Sequence, residues 1–174
     1  MIKEEDLRDE TVMSMAREIL LAARTAPKAR GRDNLELMLC DKDDMKKIAE
    51  RMIKMAEEGR GPEFFKRDAE NILKSQAMLL LGCRIKPCGL KPCGMCGFGT
   101  CDNKPADTPC SLNTTDLGIA LGSAVSKAAD LRLDSRIMYS VAQGAKELGY
   151  FSEELKVFFA LPLSVSGKSP FFDR

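Results

Sequence analysis

Residues 113–131 read NTTDLGIALGSAVSKAADL, and within them Leu117, Leu121, Ala124, Ala128 and Leu131 recur at the spacing of one helix face. The stretch is predicted to be one long helix with an apolar seam. Gly118, Gly122 and Ser126 form a second stripe of small residues, four apart. A glycine inside a helix costs about 1 kcal/mol relative to alanine. Two of them predict a compensating close approach, by another backbone such as one at a subunit interface, or by a flat cofactor.

Outward from this helix, helical periodicity alternates with short apolar runs. Upstream, Val12, Met15, Ala16, Ile19 and Ala23 predict a helix from about Thr11 to Arg24, stopped by Ala26-Pro27. LELMLC, Leu35 to Cys40, reads as a buried strand. A helix from about Asp43 to Gly59 with a methionine stripe follows, then one after Pro62, then an apolar strand from Ala77 to Leu81. Downstream, a helix is expected from about Ser135 to Leu148, ending at Gly149. The run VFFALPL is a last strand, in which Pro162 favours an edge or strand end. The order predicts an α+β fold, a small central sheet of three or four strands covered by about five helices, in a single domain over 1–174.

Between the last two informative segments lies CRIKPCGLKPCGMCGFGTCDNKPADTPC, residues 83–110, a cysteine-rich loop inserted after a strand. Cys93, Cys96 and Cys101 are spaced C-x2-C-x4-C, and Cys110 follows after eight intervening residues. Four thiolates so close in sequence suffice for one cubane iron–sulfur cluster or one tetrahedral zinc site. Structural zinc sites usually present two ligand pairs, whereas here one C-x-x-C precedes single cysteines. Gly94, Gly97 and Gly99 let the backbone curl around a bulky centre and aim N–H groups at sulfur. A 4Fe-4S cluster on Cys93, Cys96, Cys101 and Cys110 is therefore the first reading, zinc the second, and redox or structural disulfides the third. Met95 and Phe98 are expected to cover the metal. Cys83 reads as a buried hydrophobe, Cys88 as a spare or exchanging ligand, and Cys40 as core.

Composition bounds the rest. With 44% apolar and 30% charged residues the chain is ordinary globular material. The charged opening MIKEEDLRDE shows no secretory signal pattern and no apolar run could span a bilayer, so a cytoplasmic, reducing compartment is expected. There a cysteine cluster points to metal or redox chemistry. A net charge of +1 gives no electrostatic case for nucleic acid. The absence of histidine removes imidazole ligands and His-based acid–base catalysis.

Ala26-Pro27-Lys28-Ala29-Arg30-Gly31-Arg32-Asp33-Asn34, between the first helix and first strand, is similar to the Ala-Pro-Ser-x-x-Asn-x-Gln-Pro loop of the flavin-dependent nitroreductases. DLGIALGSAVSKAADLRLDSR resembles the central helix of that superfamily, and ALPLSVSGK with the closing arginine resembles its last strand and basic tail. Over nearly its full length, most specifically at CGMCGF-TC, DLGIALGSAVS-AADLR-D-RIMYSV and PLS-SGK-PFFDR, the chain resembles a family of prokaryotic proteins described as containing a ferredoxin domain. That resemblance implies an iron–sulfur cluster. The nitroreductase likeness implies a homodimer with FMN at the subunit interface, Lys28, Arg30, Arg32 and Asn34 near the flavin, and Lys168 and Arg174 reaching it from the tail. Phe171 and Phe172 are expected to anchor that tail on a neighbouring subunit. The expected function is an iron–sulfur oxidoreductase passing electrons between the cluster and a second centre, FMN. The alternatives are a non-enzymatic electron carrier or redox sensor, and a structural zinc module.

Overall fold

The central strand β2, Ala77–Arg84, is apolar at successive positions because both of its faces are covered. In the structure, a computed structural model that describes residues 1–172, it pairs antiparallel with β1, Leu35–Cys40, and with β4, Leu155–Ser164. A two-residue β3, Asp134–Ser135, completes the order β1-β2-β4-β3. Side chains alternate across a strand. Ala77, Leu79, Leu81 and Cys83 therefore share one face, packed with Val12, Ala16 and Ile19 of α1, Glu4–Thr25, and Leu117, Leu121 and Ala124 of α4, Ser111–Asp130. Met78 and Leu80 point the other way, into a core built by α2, Lys42–Glu57, α3, Phe64–Leu73, and α5, Tyr139–Glu147. Antiparallel sheets often leave one face wet. Here two helical layers remove that face, which is why β2 shows no alternation of polarity. No helix among the described residues is long and apolar enough to cross a membrane.

Most elements lie where the periodicity puts them, with instructive differences at their ends. α1 begins at Glu4 rather than near Thr11. Its first turn carries Glu4, Glu5 and Asp6, favourable at the positive end of the helix dipole, and Arg8 pairs with Glu4 one turn away. α2 starts under a capping box formed by Asp41 and Asp44. α5 begins at Tyr139 rather than Ser135, because Asp134 and Ser135 pair with Ser164 and Leu163, and Met138 bridges Ala160.

Pro162 is not on an edge strand: it faces Met78 across the β2–β4 ladder. The Ala160 N–H and C=O bond Met138, so the Pro162 nitrogen, two residues on, faces the same side. The ladder there is broken between the Met138 bridge and β3, and the missing N–H costs no bond. Phe171 also departs from expectation. It is buried in the chain's own α2–α3–α5 core, its carbonyl accepts Arg136 Nη1 at 2.9 Å, and the Arg136 guanidinium stacks over Phe172. Within the described residues the tail is anchored on its own subunit.

Candidate functional site

Beyond β2 the chain leaves regular structure until α4 begins at Ser111, apart from a 3-10 turn at Cys101–Asn103. Gly94, Gly97 and Gly99 take φ values of 110°, 88° and 72°, the left-handed region that glycine enters without steric cost. These turns bring Cys93, Cys96 and Cys101 round to Cys110 at the start of α4. The four cysteines line one small cavity, together with Thr100 and Lys104. Among the described residues no three Cys, Asp or Glu side chains stand close enough together to hold a metal ion. The donor set is thus gathered around one cavity, without the ligand geometry of a loaded site.

Cys110 is the N-cap of α4. Burial pushes its thiol up, but the nearby backbone N–H groups of Cys88, Asn113 and Leu112 favour the thiolate, and the balance lies below the ordinary cysteine value, although no side-chain cap bond is formed. Cys88 is only 1% exposed. Burial and then the negative charge of Cys110 raise its own pKa. Asn113 Nδ2 donates to the Cys88 sulfur at 3.7 Å. Cys88 is thereby tied to the first turn of α4. Cys83 and Cys40 are core thiols as expected, each pushed up to about 12, chiefly by burial.

The side chains around the cavity divide. Met95 does line the cavity, although 68% exposed, whereas Phe98, 37% exposed, does not line it. Lys104 was not singled out by its sequence context, a lone lysine in CDNKPADTPC, yet it is buried beside the thiols. Its ammonium donates to the carbonyls of Pro105, at 3.0 Å, and Thr108, closing that part of the loop and placing a cation next to groups that act as thiolates.

The loop between α1 and β1 meets this site from the other side. Ala29 N–H donates to Asp116 Oδ1 at 3.0 Å, pinning the loop to the first turns of α4. Arg30 and Arg32 are brought together: Nη1 of each donates to the Cys88 carbonyl, at 2.9 and 3.5 Å. Among the described residues neither has a carboxylate partner. The Asn34 side-chain Nδ2 is buried and has no hydrogen-bond partner. Lys28 is turned away, capping the end of α1 through the carbonyls of Ala23 and Arg24. Lys168 lies in the exposed turn after β4, just before Phe171 enters the opposite core. Arg174 lies outside the described residues.

An uncharacterized protein of Archaeoglobus fulgidus is 42% identical over 183 residues, spanning 100% of this chain and 97% of that protein. The profile of a family described as "Uncharacterized protein containing a ferredoxin domain" matches residues 106–174. The chain belongs to this family. The matched residues take in Cys110, α4 and β4 and leave Cys93, Cys96 and Cys101 outside. Among solved structures, a nitroreductase with bound FMN from Desulfitobacterium hafniense superposes with a TM-score of 0.61 at 14% identity, over 89% of this chain and 78% of that one. A nitroreductase family protein from Clostridium novyi gives 0.60 at 14% identity, over 87% of this chain and 73% of that one. This member of the ferredoxin-domain family thus has the nitroreductase fold.

Proposed function

We propose that the protein is a cytoplasmic iron–sulfur oxidoreductase on a nitroreductase scaffold. Cys93, Cys96, Cys101 and Cys110 hold a 4Fe-4S cluster, and FMN is bound between the two subunits of a homodimer. The observation that carries this reading is that all four cysteines line one cavity at the start of α4, where the backbone N–H groups of a helix N-terminus are near. N–H donors to sulfur are what a thiolate-ligated cluster needs from its surroundings.

The flavin half rests on the loop from Lys28 to Asn34. Among the described residues, Arg30 and Arg32 place two guanidinium charges together without a carboxylate, and Asn34 keeps a buried amide donor unsatisfied. Paired cations and an orphaned donor suit an anionic, hydrogen-bonding ligand such as a flavin phosphate. When bound, the flavin supplies two-electron chemistry and the cluster one-electron exchange with a carrier. The exposed face of α4, with Thr115, Gly118, Ile119, Gly122 and Ser126, supports the dimer: among the described residues, nothing beyond the helix's own adjoining turns lies within 4 Å of a Cβ built at Gly118 or Gly122. The close approach that these glycines predict is not made inside the subunit, and a partner subunit supplies it.

The buried Cys88 thiol, fastened to Asn113 in the first turn of α4, favours a second reading, a redox sensor without enzymatic turnover, since a spare thiol near a ligand can exchange or oxidise. One experiment separates the readings: an anaerobic ultraviolet–visible spectrum before and after dithionite, with iron, sulfide, zinc and flavin measured on the same sample. A bleachable charge-transfer band above flavin peaks is expected. A cluster without flavin leaves the carrier or sensor, and a colourless, zinc-loaded protein overturns both.

A further inference from the structure

At the far end of α4 from the cysteines, the first half of α1 and the turn that closes α4 flank an open groove of about 560 Å³. Its wall is apolar, with Ile2, Leu7 and Met15 on one side and Leu131, Leu133 and Val165 on the other. Ile2 is 73% exposed and Leu7 46%, so the described chain leaves this wall open to solvent. Small-molecule sites are concave, mostly apolar and carry few polar groups. Among the described residues three charged side chains line the groove, and Glu4 and Arg8 neutralise each other through two hydrogen bonds. Arg132 is the third, and its guanidinium has neither a hydrogen bond nor an ion pair among the described residues. The backbone holds Arg132 there under strain. Its N–H donates to the Ala129 carbonyl at 3.0 Å and the Leu133 N–H to the Ala128 carbonyl at 2.9 Å, a Schellman motif that turns Leu133 into the core. The motif demands a left-handed residue at this position, φ 58° for Arg132, where glycine is the usual occupant. An arginine kept in that conformation without a protein partner points to a role for its side chain.

We propose that this groove is a binding site for a single-chain anionic amphiphile, a carboxylate whose head meets Arg132 and whose apolar body lies between α1 and Leu131, Leu133 and Val165. Charge selects the occupant. The only unneutralised charge on the wall is positive, so a cationic head is repelled and a neutral one leaves the guanidinium unpaired, whereas a carboxylate takes a charge-assisted, bidentate pair. The apolar wall selects the body, because covering Ile2 and Leu7 removes hydrocarbon from water. The site stands apart from the proposed cluster and flavin, which belong to the other end of α4, and its test does not depend on iron.

The test is isothermal titration calorimetry of the full-length protein with decanoate, kept below its micelle concentration, and with decyltrimethylammonium, which carries the same chain under a cationic head. Wild type, Arg132→Gly, Arg132→Lys and Leu7→Asp are compared, with a melting temperature for each. The wild type is expected to bind one decanoate per chain and the cation at least about tenfold more weakly. Arg132→Gly relieves the positive φ, so it should melt at or above the wild-type temperature while losing about tenfold in decanoate affinity. Arg132→Lys, which keeps the charge, should fall between the two, and Leu7→Asp, a change at an exposed position, should bind no decanoate. A wild type without saturable decanoate binding, an Arg132→Gly variant that binds decanoate like the wild type, or equal affinity for the two amphiphiles overturns the proposal. Binding to phosphatidylglycerol vesicles without binding of free decanoate overturns it in favour of a membrane surface. A wild-type dimer that ignores decanoate, beside a monomeric Leu7→Asp variant, overturns it in favour of a second copy of the chain.

Discussion

Asn113 Nδ2 donates to the Cys88 sulfur at 3.7 Å while its Oδ1 accepts the Lys86 N–H at 3.2 Å, so one buried carboxamide fastens the start of the cysteine loop to α4. Asn113→Leu keeps the volume and removes both bonds, while the Lys86 N–H keeps the Arg84 carbonyl at 3.1 Å. Each lost hydrogen bond costs about 0.5–1.5 kcal/mol. The expected outcome is a lower melting temperature and faster iron release to a chelator. Unchanged release would mean that Asn113 serves stability alone.

The four proposed ligands predict a pattern across serine substitutions. Cys93→Ser, Cys96→Ser, Cys101→Ser and Cys110→Ser should each lose the charge-transfer band and most of the iron, whereas Cys40→Ala should keep both. Lys104→Met should retain iron but bleach faster in air, because it removes the two carbonyl contacts that close the loop. Iron analysis and the rate of aerobic bleaching check the series.

Glycine-to-alanine changes separate the two kinds of glycine in the helices. A Cβ at Gly144 would lie 2.6 Å from Met52 Cγ and 3.3 Å from the Ile48 carbonyl, where α5 meets α2. Gly144→Ala should destabilise by about 1–3 kcal/mol, the usual cost of overpacking. Gly118 and Gly122 meet nothing within 4 Å, so Gly122→Ala should gain about 1 kcal/mol of helix propensity in an isolated subunit. Gly122→Leu should shift the proposed dimer to monomer in sedimentation equilibrium, and a wild type that sediments as a monomer overturns the dimer.

Alkaline pH should unfold the metal-free protein. Cys40 and Cys83 are acids raised from an ordinary 9.0 to about 12, mainly by burial, and burial together with Asp44 raises Tyr150 as well. Between pH 9 and 12 the unfolded chain has released cysteine protons that the folded chain still holds. Stability is therefore fully present below pH 9 and falls as pH rises toward 12. Cys40→Ala should flatten this fall in denaturant melts at a series of pH values, at the cost of a lower starting stability from the cavity that it leaves.

What the amino-acid sequence determined was local. The boundaries of β1, the apolar run of β2, the seam of α4 and the cysteine spacing all follow from side-chain period and chain stiffness, which neighbouring residues set by themselves. Element ends were less legible where a distant partner decides them. The start of α5 depends on Met138 bridging Ala160, and Pro162 is tolerated because the neighbouring strand breaks off beside it. The site divides in the same way. Its four cysteines could be read from spacing, yet their convergence on the α4 N-terminus, the burial of Lys104 and the meeting of Arg30, Arg32 and Asn113 at Cys88 could not. Those contacts join residues from three separate segments, and only the packing of α1 and α4 on one face of the sheet brings them together.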